Sequence, residues 1–445
     1  MKVNHKEYSS IKTFEGAKAV KLSPEKELMR AVMTCMLFEG NFYESGKDMA
    51  TRIADLCTKV KPEYLSELAI KARNEMYLRS VPLFLARNLA KIHKGKLVSD
   101  TIYNVIQRAD EMAEFLAMYF MEKKQPLSKQ TKIGLARAFD KFNEYQLAKY
   151  NSSNAKIKLR DVMFLCHPKP KDEVQADLFK RIAEKKLETP DTWEVQLSAG
   201  KDKQATFNRL IKENKLGYFA LLRNLRNMEG ANCDLDPVIK KLEDREEILR
   251  SKILPFRYMA AYENVSSPRL KKAIKNAFIH SASNVPTLTG TSIILVDVSG
   301  SMDCPLSDKS DMKRTHVAAC LAAILKENSR SLVYTFSEQL VKVSSKRSGL
   351  DLAEDILNSQ EHGGTKLGAA LKKLDGDPCD RVIVLTDEQS HDRPIACWAK
   401  KGYIVNLNGY EPSVSYAGNW EMIAGWSDKI VNYIAEIERF EKWDQ

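Results

Sequence analysis

The 445-residue chain contains no run of about 18 consecutive apolar residues, so no stretch of it reads as a membrane-spanning helix. Glycine and proline are sparse, at 19 and 15 residues, which excludes a collagen-like or low-complexity chain. The eight cysteines are scattered and none forms a C-x-x-C pair, so neither a zinc ribbon nor a dithiol redox motif is present. Reduced, mostly buried thiols in a cytoplasmic protein are the expectation. Met1 to Lys21 is polar and lacks the apolar centre of a signal peptide. A G-x-x-x-x-G-K-[ST] phosphate loop and a G-x-S-x-G nucleophile elbow are both missing. His316, His362 and His391 stand in no acid–base or metal-ligand spacing and read as surface or helix histidines. These absences point away from an enzyme.

What is present is positive charge, unevenly placed. The whole chain carries a net charge of +11. Residues 286–445 hold 18 Lys and Arg against 23 Asp and Glu, a net of −5, which leaves +16 on residues 1–285. A strongly basic part joined to a mildly acidic one is a sharper sign of polyanion binding than the total.

The basic part reads as helical. Apolar residues recur at three- and four-residue spacing in Leu28–Met36, in Ile133-Leu135-Phe139-Phe142 and in Leu216-Phe219-Leu222-Leu225. Pro82, Pro126, Pro168, Pro170, Pro190, Pro237, Pro255 and Pro268 punctuate it as inter-helix turns. Helix pairs of about 40 residues would stack into an α-solenoid, although no strict internal repeat is visible. Beyond residue 286 short apolar runs take over: Ile293–Val296, Leu332–Phe336, Val382–Leu385 and Tyr403–Val405. Helical stretches lie between them, notably His316–Lys326 and Lys366–Leu374, which predicts an open parallel α/β sheet. Ligands of such sheets bind at the carboxyl ends of the strands.

Asp297-Val298-Ser299-Gly300-Ser301 falls at such an end. A carboxylate and two alternate hydroxyls on a turn offer hard oxygen ligands suited to a divalent cation, Mg²⁺ foremost. Gly363-Gly364-Thr365 adds a hydroxyl on a second loop, and Thr386-Asp387 a second carboxylate after the strand Val382–Leu385. The candidate metal ligands are therefore Asp297, Ser299, Ser301, Thr365 and Asp387. D-x-S-x-S, a later Thr and a later Asp resemble the metal-ion-dependent adhesion site of von Willebrand factor A domains, over residues 286–445. The resemblance implies an open coordination position for an acidic oxygen from a partner. Lys366 stands where relatives often carry Asp, which puts a cation beside the metal and predicts lower occupancy.

Four strings in the basic part resemble the TROVE module: Thr13-Phe14-Glu15-Gly16-Ala17, Met36–Tyr43, Leu221–Met228 and Ile253–Tyr258. TROVE followed by a von Willebrand A domain is the layout of the Ro autoantigen family, including its bacterial and phage-borne members. The implied fold is multidomain: a HEAT-like ring of α-helical repeats over 1–285, then a Rossmann-like von Willebrand A domain over 286–445. The implied function is non-catalytic binding of small structured Y-like noncoding RNA and of single-stranded ends of misfolded or partly degraded RNA. An exoribonuclease partner, a monomeric state and a cytoplasmic location go with it.

Helix surfaces that bind RNA do so mainly through Lys and Arg on phosphates. Residues 129–171 supply the candidates Lys129, Lys132, Arg137, Lys141, Lys149, Lys158, Arg160, His167 and Lys169, with Lys156 and Lys171 nearby. Tyr145 and Tyr150 can stack on bases or pack between helices. Lys149-Tyr150 and His167-Pro168-Lys169 match pieces of the family's Y-RNA surface, whereas Asn151–Asn154 is neutral where relatives are basic. Arg223, Arg226 and Arg257 lie inside apolar strings and read as structural. A competing expectation is a metal-dependent protein-interaction adaptor built on the adhesion site; net +16 on the helical part favours RNA.

Overall fold

The computed structural model describes residues 12–13, 16–17, 19–20, 22–34, 46–122, 125–150, 156–283, 285–305, 312–344, 346–408, 413–414, 416, 418–426 and 429–440. Phe14, Glu15, Met36–Tyr43 and Asn151–Asn154, which carry parts of the motifs above, lie outside them. The chain divides into two compact units, one of residues 51–238 and one of residues 1–50 with 239–445.

The 51–238 unit is helical, and its helices start where the sequence supplies caps. Ser128, Asp172 and Asp202 accept backbone N–H bonds at 3.2, 2.7 and 2.8 Å, opening Lys129–Ala138, Glu173–Ala183 and Lys203–Lys212. Each satisfies a donor that the first helical turn leaves without a partner. Pro82 sits inside Ser80–Ile92 rather than in a turn before it. A proline in the first turn forfeits no intrahelical bond, so it marks a helix start as well as a break. Gly134 lets Lys129–Ala138 approach Lys96–Val105 closely, since a Cβ there would stand 2.8 Å from that of Ile102.

The other unit is built on a six-stranded sheet. Its strands are β2 (Leu288–Asp297), β3 (Ser329–Phe336), β4 (Leu340–Lys342), β5 (Arg381–Thr386), β6 (Lys401–Asn406) and β8 (Trp420–Ala424), in the order β4-β3-β2-β5-β6-β8. All pairings are parallel except that of the edge strand β4. The four apolar runs form β2, β3, β5 and β6. Strands β4 and β8 escape prediction because they are short, peripheral and only partly buried. Two further short strands, β1 (Ala19–Val20) and β7 (Ser413–Val414), pair antiparallel.

Helices begin to give way to strands at Leu288, where the composition predicts. The compact units do not divide there. Phe256–Glu263 and Pro268–Ser281 pack against Arg314–Glu327 and Gly349–Leu357, with Lys275 Nζ 2.5 Å from Asp351. The N-terminal segment joins the same unit: the Thr13 hydroxyl donates to the Ser390 carbonyl at 2.9 Å, and Arg30 pairs with Glu388, both buried. Charge follows this division less steeply than the linear one, because the basic residues of the N-terminal segment and of 239–285 go with the sheet. The helical unit holds 34 Lys and Arg against 24 Asp and Glu, net +10, and the sheet unit 36 against 35, net +1.

Candidate nucleic-acid interface and metal centre

Five of the nine candidate RNA residues converge. Lys129, Lys132, Arg137, His167 and Lys169 line one groove of about 630 Å³, with Leu127, Ile133 and Ala136 as apolar lining. Helix Lys129–Ala138 supplies three of them. His167 follows helix Leu159–Cys166 in the left-handed region at φ 50°, which turns the chain so that His167 and Lys169 face the same groove. Among the described residues no carboxylate lies within ion-pair distance of Lys129, Lys132 or Lys169. Arg137 is engaged: it donates to Asp100 at 2.6 Å and lies 4.5 Å over the Tyr103 ring.

Lys141 is not a phosphate ligand in this arrangement. Its ammonium donates to the carbonyls of Tyr103 and, at 2.8 Å, Ile106, closing the C-terminus of Lys96–Val105. Burial lowers it from 10.5 to about 8. A lysine four residues after Arg137 reads from sequence as a second surface cation. The 3-10 turn Phe139–Lys141 redirects it inward.

Lys149, Lys158 and Arg160 surround aromatic rings instead. Lys149 lies 5.9 Å from the Tyr145 ring and 5.7 Å from Tyr150, and Arg108 covers Tyr150 at 4.5 Å. Lys158 shares with Tyr150, Lys156 and Arg79 a smaller cavity of about 290 Å³. Arg160 lies 5.1 Å over Phe164, whose ring is 49% exposed. Phe164 was missed by the sequence reading; its signal is an aromatic four residues after an arginine, hence on the same helix face. Arg223 and Arg226, read as structural, are exposed on helix Tyr218–Gly230.

The carboxyl ends of β2 and β5 gather the second cluster. Val296 and Leu385 are paired in register, so Asp297 and Thr386 come next to each other at the sheet's end. The Thr386 hydroxyl donates to Asp297 Oδ2 at 2.6 Å, and the Ser299 amide donates to Oδ1 at 2.9 Å. Ser299 and Ser301 hydroxyls stand 3.3 Å apart, and Ser301 bonds the Asp387 carboxylate. The Gly300 amide donates to the Gly363 carbonyl at 2.8 Å, which brings the Thr365 loop to the same place. A Cβ on Gly364 would meet Glu338 and stand 2.8 Å from the His391 ring, so glycine is needed there. Thr386 is a residue that sequence reading left without a role.

Both carboxylates are fully buried. Burial pushes Asp297 up, and burial together with the facing Asp297 charge pushes Asp387 up. Asp387 Oδ2 has no hydrogen-bond partner. An unpaired buried carboxylate oxygen beside a second carboxylate and two hydroxyls fits a hard divalent cation, which would relieve the repulsion. Among the described residues no three His, Cys, Asp or Glu side chains converge; the donors are two carboxylates and hydroxyls, in keeping with an oxygen-ligand ion. Lys366 does not point its charge at this centre. Its Nζ lies 2.5 Å from Glu338 at the rim, with both side chains about half exposed (48% and 50%).

The histidines fasten loops. His362 Nδ1 meets Asp303 at 2.9 Å and Nε2 meets the Leu357 carbonyl at 3.0 Å, and Asp303 holds the ring above the ordinary histidine range. His391 Nδ1 accepts from the Thr365 amide at 3.1 Å, and His316 Nδ1 from that of Lys313 at 2.9 Å. Among the described residues no helix is long and apolar enough to cross a membrane.

Residues 180–337 match the TROVE domain family. Telomerase protein component 1 of Rattus norvegicus is 21% identical, with 54% of this chain and 13% of that protein covered. Its Mus musculus counterpart is 31% identical over 83 residues, 18% of this chain and 3% of the relative. The chain thus spans about an eighth of the length of the first of these curated relatives. The crystal structure of the Deinococcus radiodurans RO (RSR) protein superposes with a TM-score of 0.59 at 18% identity, covering 91% of this chain and 96% of that one.

Proposed function

We propose that this chain, which matches the TROVE domain family over residues 180–337 and shares the fold of the Ro protein, binds small structured Y-like noncoding RNA and the single-stranded ends of misfolded or partly degraded RNA. It does so as a non-catalytic cytoplasmic scaffold, monomeric, in RNA quality control or decay, and hands RNA to an exoribonuclease. The observation that carries this reading is the groove of Lys129, Lys132, His167 and Lys169, whose three ammonium groups have, among the described residues, no carboxylate within ion-pair distance, on a unit of net charge +10. Unneutralised lysines cost nothing to turn toward phosphate, whereas paired ones must first break an ion pair. Structured RNA is read there by shape and backbone, and unpaired bases by the exposed rings.

Asp297, Ser299, Ser301, Thr365 and Asp387 would hold Mg²⁺, which supplies a single positive point able to take an acidic oxygen from a partner. The chain's own part is positioning. Thr386 and the Ser299 amide fix Asp297, Ser301 fixes Asp387, and the Gly300–Gly363 bond fixes the loop of Thr365.

Titration of the full chain with a labelled hairpin RNA bearing a single-stranded tail, at several salt concentrations, tests the reading. Binding that weakens steeply with salt while the RNA stays intact in Mg²⁺ is expected. Salt-independent binding, no binding, or cleavage of the RNA would overturn it.

A further inference from the structure

The outward face of helix Tyr218–Gly230 carries Phe219, Arg223 and Arg226. At 3.6 residues per turn the three fall within an arc of about 60° and along about 10 Å of helix, so they form one stripe. The three-residue spacing of Leu216, Phe219, Leu222 and Leu225 reads as one apolar run, but each such step turns about 60° off the helix face, so Phe219 lies about 120° from Leu225. Those leucines are buried, at 1%, 3% and 1% exposure, whereas Phe219 is 44% exposed.

The arginine beside it is equally unusual. Arg223 lies 5.7 Å over the Phe219 ring, and among the described residues no carboxylate lies within ion-pair distance of it. Several other surface arginines of the same unit are tied down, Arg79 to Asp110 and Glu114, Arg137 to Asp100, Arg181 to Glu144 and Arg209 to Asp191, whereas, among the described residues, Arg160 over Phe164 is not. Gly217, immediately before the helix, leaves open space at its N-terminus.

A flat exposed ring beside an unneutralised guanidinium is the pairing that single-stranded nucleic acid uses. The ring's face takes a base whatever its identity, and the planar guanidinium takes a phosphate through two parallel bonds. An acidic protein segment would satisfy Arg223 but would leave the ring without a flat partner. We propose that the Phe219–Arg223 pair of this stripe is a second RNA contact, built from other residues than the lysine groove, where an unpaired base stacks on Phe219 and the Arg223 guanidinium takes a flanking phosphate. The inference rests on the RNA-binding reading above and locates where an unpaired segment is held.

The test compares one hairpin with and without a single-stranded uridine tail, titrated against the full chain and its Phe219→Ala, Phe219→Trp and Arg223→Glu variants. Phe219→Ala weakens binding of the tailed hairpin about tenfold and leaves the blunt one unchanged. Phe219→Trp keeps the affinity, and its added indole emission is quenched when the tail binds. Arg223→Glu weakens the tailed hairpin further and lowers its salt dependence. An unchanged melting temperature for Phe219→Ala shows that the fold survives. Equal effects on both hairpins, or none on either, overturn the stripe; the lysine groove then stands if its own variants still lose binding. A wild-type chain that binds neither hairpin overturns both. A dimer in solution that Phe219→Ala converts to monomer makes a second copy the occupant, and also overturns the inference.

Discussion

Replacing Lys129, Lys132 and Lys169 together by Gln removes the three groove cations that no carboxylate neutralises. Each Lys–phosphate contact contributes about 0.7 (single strand) to 0.9 (duplex) to the slope of log affinity against log salt. The triple variant should therefore lose about 2 to 3 from that slope. Extrapolated to a physiological salt of about 0.15 M, three such contacts correspond to roughly 50- to 150-fold in affinity, or about 2 to 3 kcal/mol. Lys129 and Lys169 are exposed and Lys132 is half-buried, so folding stability should move by no more than about 0.5 kcal/mol. The matched control is Lys141→Gln, whose cation is spent on two carbonyls of the chain itself. It should leave the salt slope unchanged and lower the melting temperature. Fluorescence anisotropy with a tailed hairpin, repeated between about 50 and 200 mM salt, reads both numbers. Parallel salt lines for wild type and triple variant, or an equal loss of slope from Lys141→Gln, would refute the assignment of phosphate contacts to this groove.

Lys141 also carries a pH signature. Between about 8 and its ordinary 10.5 the unfolded chain binds a proton that the folded chain has released, so this group's contribution to stability rises with pH through that window. The melting-temperature difference between wild type and Lys141→Met should grow across it; a constant difference contradicts the buried placement. Mg²⁺ at tenfold its dissociation constant should stabilise the chain by about 1.4 kcal/mol, read as a rise in melting temperature. Asp387→Asn should abolish that rise while leaving the metal-free protein as stable or more so, because it removes one of two facing buried carboxylates. A Mg²⁺ response that survives the substitution places the ion elsewhere. Arg30→Ala leaves Glu388 buried without its partner and should cost about 3–5 kcal/mol in chemical denaturation; a loss below about 1 kcal/mol would show the pair to be dispensable.

Much of the sheet unit was legible because its signals are local. Continuous apolar runs mark buried parallel strands, and Asp297-Val298-Ser299-Gly300-Ser301 immediately follows one. The strand order that places Asp297 beside Thr386 is not local, because it depends on β5 pairing with β2 across 89 residues of chain. The helical unit was legible in its periodicity and caps but not in its exposures. Phe219 belongs to a three-residue apolar spacing that drifts around the helix, so it falls on the exposed face with Arg223, roughly opposite the buried Leu221, Leu225 and Met228. A helical repeat fixes which residues share a face, and the neighbouring helix decides whether that face is covered. The same limit explains Lys141, which stays beside Arg137 over the Tyr103 ring but spends its ammonium on the Tyr103 and Ile106 carbonyls.

By itself, the sequence determined the helical and α/β character of the two parts, the presence of carboxylate and hydroxyl oxygens after the first and third apolar runs and the excess of positive charge on the helical part. All of these follow from residue type and short spacing. Tertiary structure alone decided which cations are available. Lys129, Lys132 and Lys169 keep theirs because, among the described residues, no carboxylate comes within ion-pair distance: Asp140 lines the same groove but accepts from Gln175, whereas Arg137 is held by Asp100 and Lys141 by two carbonyls. It also decided that residues 239–285 and the N-terminal segment belong with the sheet, through Lys275–Asp351 and Arg30–Glu388. Charge is a property of a side chain, but its availability depends on neighbours brought together from distant parts of the chain.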